Sequence, residues 1–220
     1  MTTLTYPFRE ADVRALRAGD TVSVNGTIWT GRDRFHKHFA DGGRLPVDFR
    51  DGALYHCGPV VVKCESASAK AAADKRGKGK GERGTGNGER GTGNGEGWKV
   101  VAGGPTTSVR ENAYEPDFIA KTGVRLIIGK GGMDERTLEA CGKCGAVYLQ
   151  AVGGAAAVTA HAIERVSNVY FLDEFGAAEA CWEFVVKDFR CVVAMDSHGV
   201  SLFSRVAEES RRRLDSLLGA

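Results

Sequence analysis

Two glycine-rich turns, Gly-Gly-Pro-Thr-Thr-Ser-Val-Arg at residues 103–110 and Gly-Lys-Gly-Gly at residues 129–132, each follow an apolar stretch of the chain. The preceding stretches are Lys-Val-Val-Ala at residues 99–102 and Val-Arg-Leu-Ile-Ile at residues 124–128, and both are typical of β-strands. Strand ends that open into glycine-rich turns are where α/β proteins bind ligands. The pattern therefore predicts an α/β protein with a ligand site at these two turns.

The polar side chains of the two turns suit a small dianion. Arg110 can bind a carboxylate through two hydrogen bonds, and Lys130 adds a point charge. The hydroxyls of Thr106, Thr107 and Ser108 can hydrogen-bond or move a proton. A Pro–Thr turn with exposed cations fits the same residues equally well, so composition leaves both interpretations open.

Composition and charge argue against several classes of protein. The chain has 220 residues and a net charge of +2, which gives no reason to expect a nucleic-acid or membrane partner. No apolar run is long enough for a membrane span, and the first residues lack the basic start and apolar core of a secretory signal. We therefore expect a cytoplasmic protein whose six cysteines stay reduced.

Residues 65–97 form an insertion without any Val, Ile, Leu, Met, Phe, Trp, Tyr or Cys. Within it the heptad Gly-Glu-Arg-Gly-Thr-Gly-Asn occurs twice in tandem, at residues 81–94. Such a segment cannot bury enough surface to offset the entropy of ordering, which predicts a flexible loop. Its basic first half could touch nucleic acid, but a solvated linker is the better interpretation because no aromatic residues are interleaved for stacking. The flanking residues 60–63 and 98–101 read as the two strands of a hairpin.

The rest of the chain is long enough for a single α/β domain, so residues 1–220 are interpreted as one domain with this insertion. An Asn25-Gly26 pair within residues 21–30 predicts a tight hairpin turn. Elsewhere helical and strand patterns alternate. Helices are predicted at residues 9–17, 32–39, 116–122, 135–144, 155–165, 177–182 and 201–218, and strands at 147–152, 169–172, 184–186 and 191–195.

Several spaced motifs carry a resemblance to a known family. The first two are Gly-Pro-Thr-Thr-Ser-Val-Arg at residues 104–110 and Ile-Gly-Lys-Gly-Gly-Met at residues 128–133. Further matches are Gly-Arg-Asp at 31–33 with His36-Lys37, Tyr-His-Cys-Gly-Pro at 55–59, Gly-Gly at 153–154 and Val-Lys-Asp-Phe at 186–189. Together they resemble the β component of iron–sulfur hydro-lyases, the class I fumarase and L-tartrate dehydratase family, over about residues 22–203. Phe35, Val109 and Glu111 depart from the family pattern, which leaves the substrate open.

The resemblance implies a swivelling β/β/α domain with a mixed sheet and flanking helices. It implies the β subunit of a two-component enzyme that hydrates or dehydrates a small dicarboxylate, with fumarate/malate first and L-tartrate or mesaconate as alternatives. Such enzymes hold a [4Fe–4S] cluster with three cysteines of the α component, where iron binds the hydroxyl group. The chain should therefore need an α partner, and an α2β2 assembly or a β-dimer is expected.

By the same resemblance, Thr106 is the candidate catalytic base. A threonine hydroxyl is a poor base unless nearby cations stabilise its alkoxide, so Arg32 or Lys130 is expected beside it. Arg110, Arg32 and Lys130 are assigned to the substrate carboxylates. The remaining assignments are supporting ones: Thr107 and Ser108 hold the turn or touch substrate, Asp33 orients Arg32, His36 is a proton relay or a structural residue, and Gly131 and Gly132 shape the second turn.

The cysteines are interpreted as structural thiols. Cys141 and Cys144 form a CxxC pair, but no second pair accompanies it and it lies at a predicted helix end. Cys57, Cys64, Cys181 and Cys191 lie among apolar residues and are predicted in the core. Since no three of them form a recognisable cluster motif, no metal site is predicted on this chain. His56 is likewise interpreted as a packing residue.

Two alternatives to an enzyme subunit stay open. One is a module that binds dicarboxylates or a protein without turnover. The other is a nucleic-acid-associated protein that acts through the basic residues 70–83, against which the nearly neutral remainder counts.

Overall fold

The computed structural model describes residues 1–64 and 97–219. The strands are β1 (Thr2–Thr5), β2 (Thr21–Thr30), β3 (Ala53–Tyr55), β4 (Val60–Lys63), β5 (Trp98–Ala102), β6 (Leu126–Gly129), β7 (Val147–Gln150), β8 (Ile163–Tyr170) and β9 (Cys181–Met195). The helices are α1 (Glu10–Arg14), α2 (Asp33–Ala40), α3 (Glu115–Thr122), α4 (Glu135–Cys144), α5 (Ala156–His161), α6 (Leu172–Phe175) and α7 (Leu202–Leu218), with a 3-10 turn at Ser108–Glu111.

The main sheet closes on itself. Across the described part of the chain its strands follow the order β1-β2-β3-β6-β7-β9-β8, and β2 also pairs with β9. The neighbours from β1 to β7 are parallel, whereas β9 is antiparallel to β2, β7 and β8. The predicted α/β class is confirmed as a mixed, barrel-like sheet with flanking helices.

The centre of the sheet is formed by two short parallel strands. Every residue of β3 and of β6 is buried, which is typical of strands covered on both faces. Tyr55 and Ile128 pack into one apolar cluster, and Leu54 and Ile127 pack into the other. Because full burial of such a side chain contributes about 1.5–3 kcal/mol, these clusters fix the ends of both strands.

The hairpin predicted at Asn25-Gly26 is wrong. β2 runs straight through these residues and pairs with β9 on both sides, with Val24 opposite Phe189 and Gly26 opposite Val186. The register shifts between them, and Gly26 takes a φ of +93° at the irregularity. The glycine therefore serves a bulge, because long-range strand pairing outweighs the local turn preference.

In the last third of the chain the helix predicted at residues 177–182 is wrong, and the bounds of the other predicted elements there differ from the structure. The helix expected over residues 155–165 ends at His161, and β8 begins at Ile163, well before the predicted strand at residues 169–172. Residues 177–182 are not a helix, because Trp182 already pairs with β8. The strands expected at 184–186 and 191–195 are one strand, β9, which continues through residues 187–190. Pairing with β2, β7 and β8 maintains this long strand.

Other predictions are confirmed. β4 and β5 form the antiparallel hairpin expected on either side of the insertion, whose residues 65–96 lie outside the described part of the chain. Helices are found near residues 9–17, 32–39, 116–122, 135–144 and 201–218. Searching the described helices for a stretch both long and apolar enough to cross a bilayer gives no candidate.

Candidate active site

The two glycine-rich turns lie side by side where β3 and β6 end. The Thr106 N–H donates to the His56 carbonyl at 2.7 Å, and the Lys130 N–H donates to the Thr106 carbonyl at 3.2 Å. The Ser108 N–H then donates to the Lys130 carbonyl at 3.0 Å. These backbone bonds hold residues 106–108 against residue 130, so the candidate base and the candidate lysine are neighbours as expected.

The hydroxyl of Thr106 is buried, and within the described residues its Oγ1 has no hydrogen-bond partner. A buried hydroxyl without a partner is uncommon, because desolvation is then uncompensated. Thr107, the next residue, is exposed. Of the two threonines, only Thr106 has an unused polar atom inside the turn.

Lys130 is half-buried, and its side chain lies beside Gly153. Its Cδ lies 3.5 Å from the position that a Cβ on Gly153 would take. Among the residues that the structure describes, its ammonium group makes no ion pair. Gly131 and Gly132 follow with φ of +82° and +76°, a region that favours glycine.

Arg32 immediately precedes α2 and is held on several sides. Its guanidinium donates to the Ala178 carbonyl at 3.2 Å and pairs with Glu179 at 3.3 Å. A Cβ on Gly58 would collide with Arg32 Nη1, so the missing side chain provides space for the guanidinium. Arg32 Nε is buried and has no partner among the described residues.

Asp33 links two of the candidate cations. Its Oδ2 lies 3.1 Å from Nη2 of Arg110 and 3.7 Å from Nη2 of Arg32. The predicted role of Asp33 was to orient Arg32, and the structure places it closer to Arg110. Because both guanidinium groups share one carboxylate, they lie on the same side of the turn.

Ser108 is fully buried and faces inward. Its Oγ lies 2.8 Å from His56 Nδ1 and receives a hydrogen bond from the Tyr148 hydroxyl at 2.9 Å. Burial raises the pKa of the Tyr148 phenol, so it stays a donor. This position favours support of the turn over contact with substrate.

A buried acid lies between the two histidines. Glu115 Oε2 is 3.1 Å from His36 Nε2 and 3.0 Å from His56 Nε2, and all three side chains are fully buried. His36 Nδ1 is 3.0 Å from the Arg32 carbonyl, which can only accept. Glu111 lies nearby, with its Oε2 3.4 Å from His36 Nδ1. The structure thus gives His36 a buried ionic setting.

These hydrogen bonds fit an ionised Glu115 that accepts from both histidines. His36 then donates from both ring nitrogens as an imidazolium, and His56 donates from Nε2 while its Nδ1 is bonded to the Ser108 hydroxyl. Burial alone would raise the pKa of Glu115, but the charges and hydrogen bonds of both histidines hold it at about 2. Burial opposes the charge on His36, yet Glu115 raises the pKa of that ring.

Glu111 has the opposite environment. Burial raises the pKa of its carboxyl group, and neither of its oxygens has a partner in the described part of the chain. The neutral form is therefore favoured relative to an exposed glutamate. This carboxyl group lies beside His36, with Oε2 3.4 Å from Nδ1 of that ring.

The donor atoms of His36, His56 and Glu115 lie within 4.8 Å of one another, which raises the question of a metal ion. The distances of 3.0 and 3.1 Å from Glu115 to the ring nitrogens are those of N–H···O hydrogen bonds, so protons account for the cluster. Within the described residues, which include all six cysteines, no group of three cysteines comes together as a cluster site. The residues of this chain therefore do not fit an iron–sulfur cluster.

The cysteines are mostly core residues, as predicted. Cys57, Cys141, Cys181 and Cys191 are buried, and burial raises the pKa of each thiol, to about 12 for Cys57. Cys64 is the exception, since it is exposed after β4. The predicted core position of Cys64 is wrong, because β4 itself is largely exposed.

Sequence reasoning missed Glu115, Tyr148 and the importance of His56. Glu115 precedes Pro116 at the start of α3, where an acidic residue is ordinary. His56 was interpreted as packing, and it is buried, but it bonds to both Glu115 and Ser108. Only the strand-end position of His56, directly before the Thr106 contact, could have indicated this.

Comparisons with known proteins agree on one family. The family model described as "Fumarase C-terminus" matches residues 2–74 and 92–206. "Putative fumarate hydratase class I" of Geobacillus stearothermophilus is 43% identical over 212 residues, which are 96% of this chain and 35% of that protein. "Putative L(+)-tartrate dehydratase subunit beta" of Methanocaldococcus jannaschii is 37% identical over 213 residues, 94% of each protein. "L(+)-tartrate dehydratase subunit beta" of Escherichia coli is 31% identical over 217 residues, 98% of this chain and 92% of that one. The chain thus spans about a third of the first relative and nearly all of the other two.

Proposed function

The chain belongs to the fumarase C-terminal family, and we propose that it acts as the β subunit of a two-component hydro-lyase that hydrates or dehydrates a small dicarboxylate. One observation carries this proposal. The cations Arg32, Arg110 and Lys130 belong to segments that meet at one edge of the sheet, as does Thr106, whose buried hydroxyl has no hydrogen-bond partner among the described residues.

The cations bind and orient the substrate. Arg110 and Arg32 hold its carboxylates, since a guanidinium pairs with a carboxylate through two parallel hydrogen bonds. Asp33 pairs with Arg110, and Glu179 and the Ala178 carbonyl hold Arg32. Holding the carboxylates places the neighbouring C–H bond against the turn, which supplies much of the catalytic effect through orientation.

Thr106 moves the proton. In the alkoxide form its Oγ1 takes the proton from the carbon next to a carboxylate, and in the reverse direction it returns that proton. Lys130 lies beside it through the backbone bonds of the two turns, and its positive charge favours the alkoxide. Negative charge that develops on the substrate carboxylate is stabilised by the same cations.

The [4Fe–4S] cluster of this enzyme family is placed on a partner α subunit. The cysteines of this chain do not fit such a cluster, and two of the relatives are named as β subunits. This chain then supplies the carboxylate contacts and the base, and no step of the cluster chemistry is assigned to its residues.

The substrate is proposed to be fumarate/malate, with L-tartrate as the alternative and mesaconate behind both. The relative with the highest of the three quoted identities carries a fumarate hydratase name. Both relatives of similar length carry tartrate dehydratase names, which favours the alternative. Arg32 and Arg110 would bind the carboxylates, which all three acids share, so these contacts do not distinguish between them.

Further assignments are proposed with the function. The closed mixed sheet supports a swivelling β/β/α domain, and its spread over residues 2–195 supports a single domain. An α2β2 assembly and a cytoplasmic location complete the proposal. A module that binds a dicarboxylate or a protein without turnover is the non-enzymatic alternative.

Anaerobic co-expression with a cysteine-rich α candidate tests the function. The expected result is turnover of fumarate, followed by absorbance, in the complex and not with either chain alone. Parallel assays with L-tartrate and mesaconate then identify the substrate by kcat/KM. A cluster-loaded complex that binds these acids without turning any over would favour the binding module instead.

A further inference from the structure

We propose that Glu115 is a positioning residue, whose carboxylate ties the segment that carries Arg32 to the turn that carries Thr106. Its catalytic consequence rests on the function proposed above, whereas its structural consequence does not. The two segments are far apart in the sequence, and Glu115 belongs to neither of them.

One branch runs from Glu115 to Arg32. The carboxylate accepts from His36 Nε2 at 3.1 Å, and His36 Nδ1 donates to the Arg32 carbonyl at 3.0 Å. The ring thus connects the acid to the backbone from which the Arg32 guanidinium extends. The raised pKa of His36 favours the imidazolium, and its positive charge strengthens both bonds.

The other branch runs from Glu115 to Thr106. The same oxygen, Oε2, accepts from His56 Nε2 at 3.0 Å. His56 holds the turn twice, because its carbonyl accepts the Thr106 N–H at 2.7 Å and its Nδ1 bonds to Ser108 Oγ at 2.8 Å. The Thr106 backbone is therefore two hydrogen bonds away from Glu115.

Burial makes the connection stiff. Glu115, His36, His56 and Ser108 are each fully buried. Water therefore cannot replace a lost partner. In Glu115→Gln one neutral amide oxygen would have to accept both ring N–H groups, so the bonds that hold the two segments together become weaker.

Ser108, His56 and Glu115 have the composition of a nucleophilic triad, but the structure excludes that role. Ser108 has no exposed surface, and a Cβ on Gly129 would collide with its Oγ. No substrate atom can approach a hydroxyl packed in this way. The serine instead joins Tyr148 and His56 in support of the turn.

The test compares Glu115→Gln with Asp196→Asn in the full chain. Asp196 is a matched control, because it is also buried and accepts backbone N–H groups, from Ala18, His198 and Val200, outside the site. We expect amide exchange at Thr106, Ser108 and Lys130 to become about tenfold faster in Glu115→Gln and to stay unchanged in Asp196→Asn. Unchanged exchange in a folded Glu115→Gln would overturn the proposal.

His36→Gln separates the two branches and replaces the first variant if that one fails to fold. It removes the link to Arg32 while His56 keeps its bond to Glu115, so exchange at Thr106 should stay within about twofold of wild type. Nitrogen NMR of the wild-type rings should show His36 with both nitrogens protonated and His56 with a proton on Nε2 that is hydrogen-bonded to Glu115. A stoichiometric metal ion in the purified chain, lost in Glu115→Gln, would overturn the hydrogen-bonded assignment.

In the assembled enzyme, Glu115→Gln should lower kcat by about 10- to 100-fold, since small misplacements of catalytic groups have effects of this size. Asp196→Asn should keep kcat at the wild-type value. If the wild-type complex has no hydro-lyase activity, the proposed function fails, but the exchange and NMR results still decide the structural role of Glu115. A wild-type kcat in Glu115→Gln beside an active wild type would overturn the positioning role alone.

Discussion

The hydroxyl of Thr106 is the single group on which the proposed proton transfer depends. It is buried without a partner among the described residues, beside Lys130 in the adjoining turn. Thr106→Ala should lower kcat of the assembled enzyme by about 10²–10⁴-fold, the usual contribution of a general base. KM should change little, because the proposed carboxylate contacts of Arg32 and Arg110 are kept. Steady-state kinetics on the complex measure both quantities.

Val109→Ala is the control for this variant. Val109 lies in the same turn, is exposed and has been assigned no contact with substrate. It should keep the wild-type kcat and KM, since truncating an exposed side chain leaves the turn intact. Thr106→Ala turning over as fast as Val109→Ala would show that another group is the base.

The charge on Glu115 predicts how stability depends on pH. Burial would raise the pKa of Glu115, but the two histidines hold it at about 2, below the ordinary 4.5. Its stabilisation is therefore complete above pH 4.5 and is lost as the pH falls toward 2. His36, with its raised pKa, contributes fully below pH 6.5 and loses its contribution as the pH rises through the folded-state value.

Urea unfolding of wild type and Glu115→Gln between pH 3 and 7 measures this term. The difference in free energy of unfolding should be largest between pH 4.5 and 6.5 and should shrink by about 2 kcal/mol toward pH 3. Glu111, whose pKa is raised by burial, favours folding at low pH but is present in both proteins. A difference that stays constant over the whole interval would contradict an ionised Glu115.

At the scale of elements, the turn after β3 controls the position of Arg32. A Cβ at residue 58 would collide with the guanidinium and lie 2.8 Å from the Ala178 carbonyl that binds it. Gly58→Ala should therefore raise KM by about tenfold, through loss of one charge-assisted contact. Gly142→Ala in α4 is the control, because its Cβ would make only an ordinary 3.6 Å contact and helix propensity improves. Equal KM values in both variants would exclude steric control of Arg32.

Elements bounded by local chemistry could be predicted, and elements created by long-range pairing could not. The bounds of α4 agree with the prediction because Asp134 caps its first turn and Gly145 ends it in the left-handed region. β9 gave no such local evidence. Asp188 interrupts its apolar pattern with a φ of +50°, and pairing with β2 carries the strand past it.

The last helix, α7, is predicted to contribute little stability beyond its first turn. None of its residues is buried, although Leu202 and Phe203 pack against the core near Gly132. Removal of residues 208–219 should shift Tm by no more than about 2 °C, because few apolar contacts are lost. Phe203→Ala should be more costly, by about 2 kcal/mol. A larger Tm loss on truncation than for Phe203→Ala would contradict this division of α7.

At the scale of the whole molecule, the candidate site could be located from the sequence, but the buried residues that hold it in place could not. Thr106, Arg110 and Lys130 could be predicted because they lie in glycine-rich turns and in motifs that resemble those of the family. Glu115 carries no such pattern, because its role depends on two histidines that reach it from α2 and from the end of β3. Buried polar partners of this kind are determined by tertiary packing, so a single sequence does not reveal them.

The fold should not depend on the insertion at residues 65–97. Lys63 pairs with Trp98 on either side of it, and the family model leaves out residues 75–91. Replacing residues 66–96 with a four-residue turn should keep Tm or raise it, because making the connection about eight times shorter lowers the entropic cost of closing it by about 2 kcal/mol. Calorimetry measures Tm, and a scrambled insertion of equal composition is the control. A Tm loss of more than about 5 °C in the deletion alone would show that the insertion packs on the domain.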